Sequence, residues 1–272
     1  MKPRSIVFDL FGDHLRYRGG AVRLRGLSEL MACFDVPEAT VRVVMARLRR
    51  EGWFETRREG RETVYALSDA GWRLLDEGRS RIFDRAREPW DGQWHMVIYS
   101  VPEAERALRE QLRKRLAWFG FGPLAASTWL SPHDRLDQVR DSFAEQDAVR
   151  LDVLRARSEG VDTDRAMAQR CWDLAGLQAD YTRWIGAVRR RMPVYRRAGG
   201  RDALVERMRL VHDYRRFPFR DPDLPLELLP DGWSGRQAHE LFLEAHELLR
   251  EPAEKCVTFL TDDLRTAQTG AR

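Results

Sequence analysis

Lysine is almost missing from this chain of 272 residues: of 47 basic side chains, only Lys2, Lys114 and Lys255 are lysines. So strong a preference for arginine fits GC-rich coding as well as a demand for bidentate contacts, so the isoelectric point of 9.2 by itself says little about partners. Cysteine is scarce too. Cys33, Cys171 and Cys256 are odd in number and far apart, which excludes a full disulfide framework and any Cys-x-x-Cys metal or redox site, and leaves reduced core thiols. No stretch approaches the roughly 18 apolar residues of a membrane-spanning helix, and no repeat or low-complexity tract punctuates the chain. At the N-terminus, Asp9 and Asp13 interrupt the apolar run that a secretion signal would need. A cytoplasmic protein, with no membrane partner, is expected. His14, His95, His133, His212, His239 and His246 show no metal-ligand spacing. Even His239 and His246, on one predicted helix, are about two turns apart. Nucleophile elbow, Walker loop and dinucleotide fingerprint are all missing, so no catalytic residue, metal or cofactor is expected.

What is present is unevenly placed. Residues 1–85 hold 17 Lys and Arg against 13 Asp and Glu, residues 86–157 hold 11 of each, and residues 158–272 hold 19 of each. The whole positive excess falls in the first third, where a polyanion partner would be met. Ile6, Val7, Leu10 and Phe11 recur at helical spacing, as do Leu27, Leu30, Met31 and Phe34. After Asp35-Val36-Pro37 a third helix follows, with Val41, Val44, Met45 and Leu48 inward and Gly52 as its stop. Trp53 to Arg57 and Glu62 to Leu67 read as strands around a turn at Arg58-Glu59-Gly60-Arg61, and Ser68 can cap the next helix.

This order is that of a winged helix-turn-helix. The third helix leaves Thr40, Arg42, Val43, Arg47 and Arg50 outward, on the face that would enter a major groove. There arginine suits guanine O6 and N7, Val43 a thymine methyl, and Thr40 a phosphate or base edge. Arg57, Arg58 and Arg61 on the hairpin would straddle phosphates or a narrow minor groove. The competing reading is a three-helix core with solvated arginines; agreement between helix order, wing and charge favours DNA binding.

The remainder divides again. Trp94 to Val101, residues 103–119, a strand from near Phe121, Thr128 to Pro132, Asp134 to Phe143 and Ala148 to Ala156 give the βαββαβ order of a ferredoxin-like domain. From residue 164 helices dominate, with faces built on Leu177, Tyr181 and Trp184, on Leu204, Met208 and Val211, and on Ala238, Phe242 and Ala245. The expected fold class is therefore α+β multidomain: a winged helix-turn-helix at 1–88, a ferredoxin-like central domain at 89–158 and a helical C-terminal domain at 159–272.

The opening Ser5-Ile6-Val7-Phe8-Asp9-Leu10-Phe11-Gly12-Asp13, the segment Val41-Arg42 to Arg47-Leu48 followed by Gly52-Trp53, and Trp90-Asp91-Gly92-Gln93-Trp94 resemble the PaaX family of bacterial transcriptional repressors. So do Asp221 to Pro225, Leu228-Leu229-Pro230 and Trp233-Ser234-Gly235. The resemblance implies a homodimer on double-stranded operator DNA that represses an aromatic-acid catabolic operon, notably for phenylacetate. It also implies release by an acyl-CoA effector such as phenylacetyl-CoA. The effector-binding residues stay unassigned: Arg189-Arg190-Arg191, Arg196-Arg197 and Arg215-Arg216 offer cations, but helix ends favour such residues anyway. The rival class is a metal-dependent nuclease built on the central domain, similar to the small CRISPR-associated ferredoxin-like nucleases. In those an aspartate ends the first strand, where this chain has Ile98-Tyr99-Ser100-Val101.

Overall fold

A computed structural model describes residues 1–84 and 89–262. Two compact units emerge. The first holds Met1–Asp84, Trp184–Arg216 and the described residues from Gln237; the second holds the described residues up to Arg183 together with Phe217–Arg236. The boundary expected at 88/89 adjoins residues 85–88, which lie outside the described residues.

In the first unit, α1 (Pro3–Asp13) starts on a proline, which the first helical turn tolerates because its missing N–H has no partner there. A 3₁₀ turn (Leu15–Arg18), strand β1 (Ala21–Arg23), α2 (Leu24–Ala32) and α3 (Glu38–Arg50) follow. Strands β2 (Phe54–Glu59) and β3 (Glu62–Leu67) pair so that Glu59 faces Glu62, leaving only Gly60 and Arg61 in the turn. Gly60 has φ 62°, which a residue without Cβ adopts freely. β1 adds to β3, giving the antiparallel order β1-β3-β2. Ser68 caps α4 (Asp69–Phe83) by accepting the Gly71 N–H at 3.1 Å. Ile6, Leu10, Phe11, Leu27, Leu30 and Met31 are buried with the inner face of α3. The periodicity predicts one helix over residues 5–17; the regular helix ends at Asp13, and a tighter 3₁₀ turn takes the chain into β1.

The second unit contains β4 (Trp94–Ser100), α5 (Arg106–Trp118), β5 (Gly122–Ala125), β6 (Thr128–Ser131), α6 (Leu136–Phe143) and β7 (Arg150–Ala156). Its antiparallel sheet has the order β5-β6-β4-β7. One face buries Val97, Tyr99 and Trp129 against Leu112 and Leu116 of α5 and Val139 and Phe143 of α6. The other buries Trp94 and Leu130 with Ala168 and Cys171 of α7 (Val161–Cys171) and with Leu224, Leu228 and Leu229. The buried Trp94 indole donates from Nε1 to Asp164 Oδ1 at 2.6 Å, so neither polar group is left unpaired.

The division between units falls within α8 (Leu174–Tyr195). α9 (Gly200–Tyr214), α10 (Gly235–Leu248) and α11 (Arg250–Asp262) complete the described helices. The first unit thus joins the N-terminal elements to α9, most of α10 and α11, which the sequence assigns to a separate C-terminal domain. No helix among the described residues is long and apolar enough to cross a membrane. Cys33, Cys171 and Cys256 are free, and burial pushes the Cys33 and Cys171 thiols up to about 11, away from thiolate chemistry.

Candidate nucleic-acid interface

The two faces of α3 are chemically opposite. Val41, Met45 and Leu48 are fully buried, Val44 and Thr40 are half-buried, and Arg42, Val43, Arg47 and Arg50 face solvent. Val43 is 70% exposed, a cost that a helix serving only as core would avoid. Arg42 reaches back to Glu38, with Nη2 2.5 Å from Oε1, and Arg47 reaches forward to Glu51, with Nε 2.8 Å from Oε1. Such exposed i,i+4 pairs are weak, so they orient the arginines without withholding them from a stronger acceptor. Hydrogen bonds from Arg4 and Arg47 hold the Glu51 carboxyl below the usual range.

Arg57, Arg58 and Arg61 are all exposed on the β2–β3 hairpin. Arg57 donates to Glu59 from Nε and Nη2 at 3.1 and 3.0 Å. The described elements therefore place all eight sequence-predicted residues on one helix and one hairpin, where they can offer donors and one apolar contact to a duplex. No three or more His, Cys, Asp or Glu among the described residues could together hold a metal ion.

What the sequence reading missed is a buried ionic joint within the same unit. Asp13, on α1, accepts from Arg207 of α9: Nε at 2.6 Å to Oδ2 and Nη2 at 3.1 Å to Oδ1. His246 Nε2 of α10 lies 2.7 Å from Asp13 Oδ1, and Arg207 Nη1 donates to the His246 carbonyl at 2.8 Å. One helical turn earlier, Asp9 Oδ2 lies 3.1 Å from His212 Nδ1, and its Oδ1 lies 3.2 Å from Arg215 Nη1. Burial, the largest influence, raises the Asp9 carboxyl against His212 and Arg215. The signal was available: Asp9 and Asp13 sit at i and i+4 in a helix otherwise apolar on that face, and acids there need cations. Arg215 and Arg191, two of the arginines set aside as effector candidates, are engaged by Asp9 and Glu206.

Three family models match this chain: "PaaX-like protein" over residues 2–71, "PaaX protein central Cas2-like domain" over 87–168 and "PaaX-like protein C-terminal domain" over 172–259. The transcriptional repressor PaaX of Escherichia coli (strain K12) is 32% identical over 257 residues, which cover 89% of this chain and 79% of that protein. An uncharacterized protein from Mycobacterium tuberculosis shares the fold, with a TM-score of 0.65, 24% identity and coverage of 94% of this chain and 98% of that one. The family points to a regulator and not to an enzyme. With models matched from residue 2 to residue 259 and a curated relative at 32% identity, the chain belongs to the PaaX family.

Proposed function

We propose that this chain is a cytoplasmic, DNA-binding transcriptional repressor of an aromatic-acid catabolic operon, of the phenylacetate type. The observation that carries the reading is the solvent-exposed face of α3, Arg42, Val43 and Arg47, together with the exposed arginines Arg57, Arg58 and Arg61 of the β2–β3 hairpin. Residues 1–88 act as a winged helix-turn-helix, a reading supported by the helix order and the β1-β3-β2 sheet. Residues 89–158 act as a ferredoxin-like domain, supported by the βαββαβ order and the strand order β5-β6-β4-β7, and residues 159–272 as the helical C-terminal segment.

Arg42 and Arg47 contact base edges, Thr40, Val43 and Arg50 complete the reading face, and Arg57, Arg58 and Arg61 contact backbone. Alanine at Arg42 or Arg47 should then cost about 1 to 3 kcal/mol on the operator and relax base preference. Alanine at Arg58 should weaken all sequences alike and reduce the salt slope by about one. Band shifts over a salt series with operator and random duplexes check this; equal losses on both duplexes for every variant would overturn the division of roles.

One α3 spans only a few base pairs, so a two-fold homodimer on an inverted repeat supplies the rest. An acyl-CoA thioester, phenylacetyl-CoA first among those to try, releases the DNA. A tenfold release corresponds to about 1.4 kcal/mol of coupling. Sedimentation of the free protein tests the dimer, which a monomer at micromolar concentration contradicts. Titrating phenylacetyl-CoA, other acyl-CoAs and the free acids into the operator complex tests the effector; release by none of the thioesters removes this effector class.

A further inference from the structure

The arginines on the outer face of α3 are held differently at its two ends. At the N-terminal end, Arg42 donates from both Nε and Nη2 to Glu38 Oε1, at 3.1 and 2.5 Å. That side-on contact occupies one edge of the guanidinium. Glu38 is exposed, and among the described residues Arg42 is its one side-chain donor. At the C-terminal end, Arg47 donates to Glu51 Oε1 from Nε alone, at 2.8 Å. Nη1 and Nη2 of Arg47 have no partner among the described residues, so its terminal fork stays open.

Glu51 is itself fixed. Its other oxygen, Oε2, accepts from Arg4 Nη1 of α1 and, at 3.2 Å, from the Trp53 indole Nε1. Arg4 lies over the Phe8 ring, 5.3 Å from its centroid, and the Phe8 and Trp53 rings meet edge to face at 6.2 Å. The backbone around Glu51 is equally set. Gly52, at φ 83°, donates its N–H to the Arg49 carbonyl, and Trp53 donates its N–H to the Leu48 carbonyl, the paired bonds that close a helix C-terminus. One carboxylate oxygen thus belongs to the scaffold and the other to Arg47. An exposed ion pair alone orders a long side chain poorly, because it must offset the rotamer entropy of both partners. Here α1 and Trp53 have already ordered the acceptor, and only Arg47 loses freedom.

We propose that Glu51 is a positioning residue for DNA reading: anchored by Arg4 and Trp53, it holds Arg47 by Nε and leaves the Nη1 and Nη2 fork to a guanine in the major groove. Two parallel donors suit O6 and N7 of guanine. A side chain ordered before binding loses less entropy on contact, which favours the matched base. Arg42 must withdraw Nη2 from Glu38 to offer the same fork, so Arg47 is the preset reader and Arg42 becomes one only on contact with DNA. The inference rests on the reading of α3 as the DNA-contacting helix. Charge gives its test a sign: by electrostatics alone, removing a carboxylate beside a duplex tightens binding to any sequence, whereas loss of a positioning group weakens binding to the operator.

Band shifts of the full-length protein compare wild type, Glu51→Gln, Arg47→Ala and the double variant on the operator, on operators with each guanine replaced in turn, and on random duplex. Glu51→Gln should weaken operator binding about fivefold or more, the lower end of what a bidentate base contact contributes. Its binding to random duplex should be unchanged or tighter. The loss should vanish in the Arg47→Ala background and on the operator that lacks the guanine read by Arg47. Glu38→Gln, which frees Arg42, should not weaken operator binding. An operator loss that persists without Arg47, one matched on random duplex, or one equalled by Glu38→Gln overturns the positioning role. A second arm needs no DNA. Nitrogen relaxation of the Arg47 Nε–H signal, assigned by its loss in Arg47→Lys, should give an order parameter above about 0.6 in the wild type and below it in Glu51→Gln. A mobile Arg47 in the wild type overturns the clamp whatever the duplexes show. A rigid Arg47 in a protein that does not tell operator from random duplex would instead overturn the reading of α3, and the guanine assignment with it.

Discussion

Replacing Asp13 with alanine is expected to cost about 3 to 5 kcal/mol of folding stability, the usual cost of stranding one partner of a buried ion pair. Asp13 and Arg207 are 7% and 3% exposed, so the guanidinium left behind cannot rehydrate without opening the packing. The carboxylate also holds the His246 ring in place, and its loss disturbs three helices at once. Urea unfolding of wild type, Asp13→Ala, Arg207→Met and the double variant separates attraction from desolvation. The double variant should recover much of the loss, because replacing a buried pair by apolar groups of similar volume is often neutral or stabilising. A cost below about 1 kcal/mol for Asp13→Ala would mean that the joint does not hold these helices together. The pair spans 194 positions of the chain, so the first 88 residues by themselves lack both it and the cover that α9 and α11 provide.

The second large effect is on pH dependence. His14 follows Asp13, and its Nε2 is buried without a hydrogen bond, 3.6 Å from Asp13 Oδ2. Burial, the dominant influence, pushes its pKa from 6.5 down to about 4, against the pull of Asp13. The folded protein therefore binds this proton less tightly than the unfolded chain does. Its contribution to stability is complete above pH 6.5 and is lost as the pH falls towards 4, about 3 kcal/mol in total. Asp13, whose carboxyl is held far below its usual value, keeps its own contribution until more acidic conditions. Asp9 acts oppositely: its carboxyl is raised by burial, so protonating it favours the folded state as the pH falls. Comparing wild type with His14→Phe across pH 8 to 4.5 isolates the imidazole. The substituted protein should show a markedly flatter loss of stability, and an unchanged slope would remove His14 as the cause.

Much of the N-terminal segment was legible because local rules fix it. The i, i+3, i+4, i+7 spacing of Val41, Val44, Met45 and Leu48 determines which residues of α3 face out, and Gly60 marks the hairpin whatever the rest of the chain does. The central strands were equally readable from alternation and punctuation. β1 was not: Ala21-Val22-Arg23 is too short to show a period, and it becomes a strand by pairing with β3 more than 40 positions away. The joining of α9 and α11 to the N-terminal elements was also hidden, since no local pattern pairs Asp13 with Arg207 or sets Gly26 of α2 against Thr261 of α11.

The most direct test of the account is a band-shift titration of the full-length protein on DNA flanking its own gene, with excess random duplex as competitor. The account predicts a retarded complex at nanomolar protein that survives the competitor, as a specific complex does, and that disappears in the Arg42→Ala/Arg47→Ala double variant. A shift removed equally by random DNA, or one that the double variant forms as well as the wild type, would contradict it.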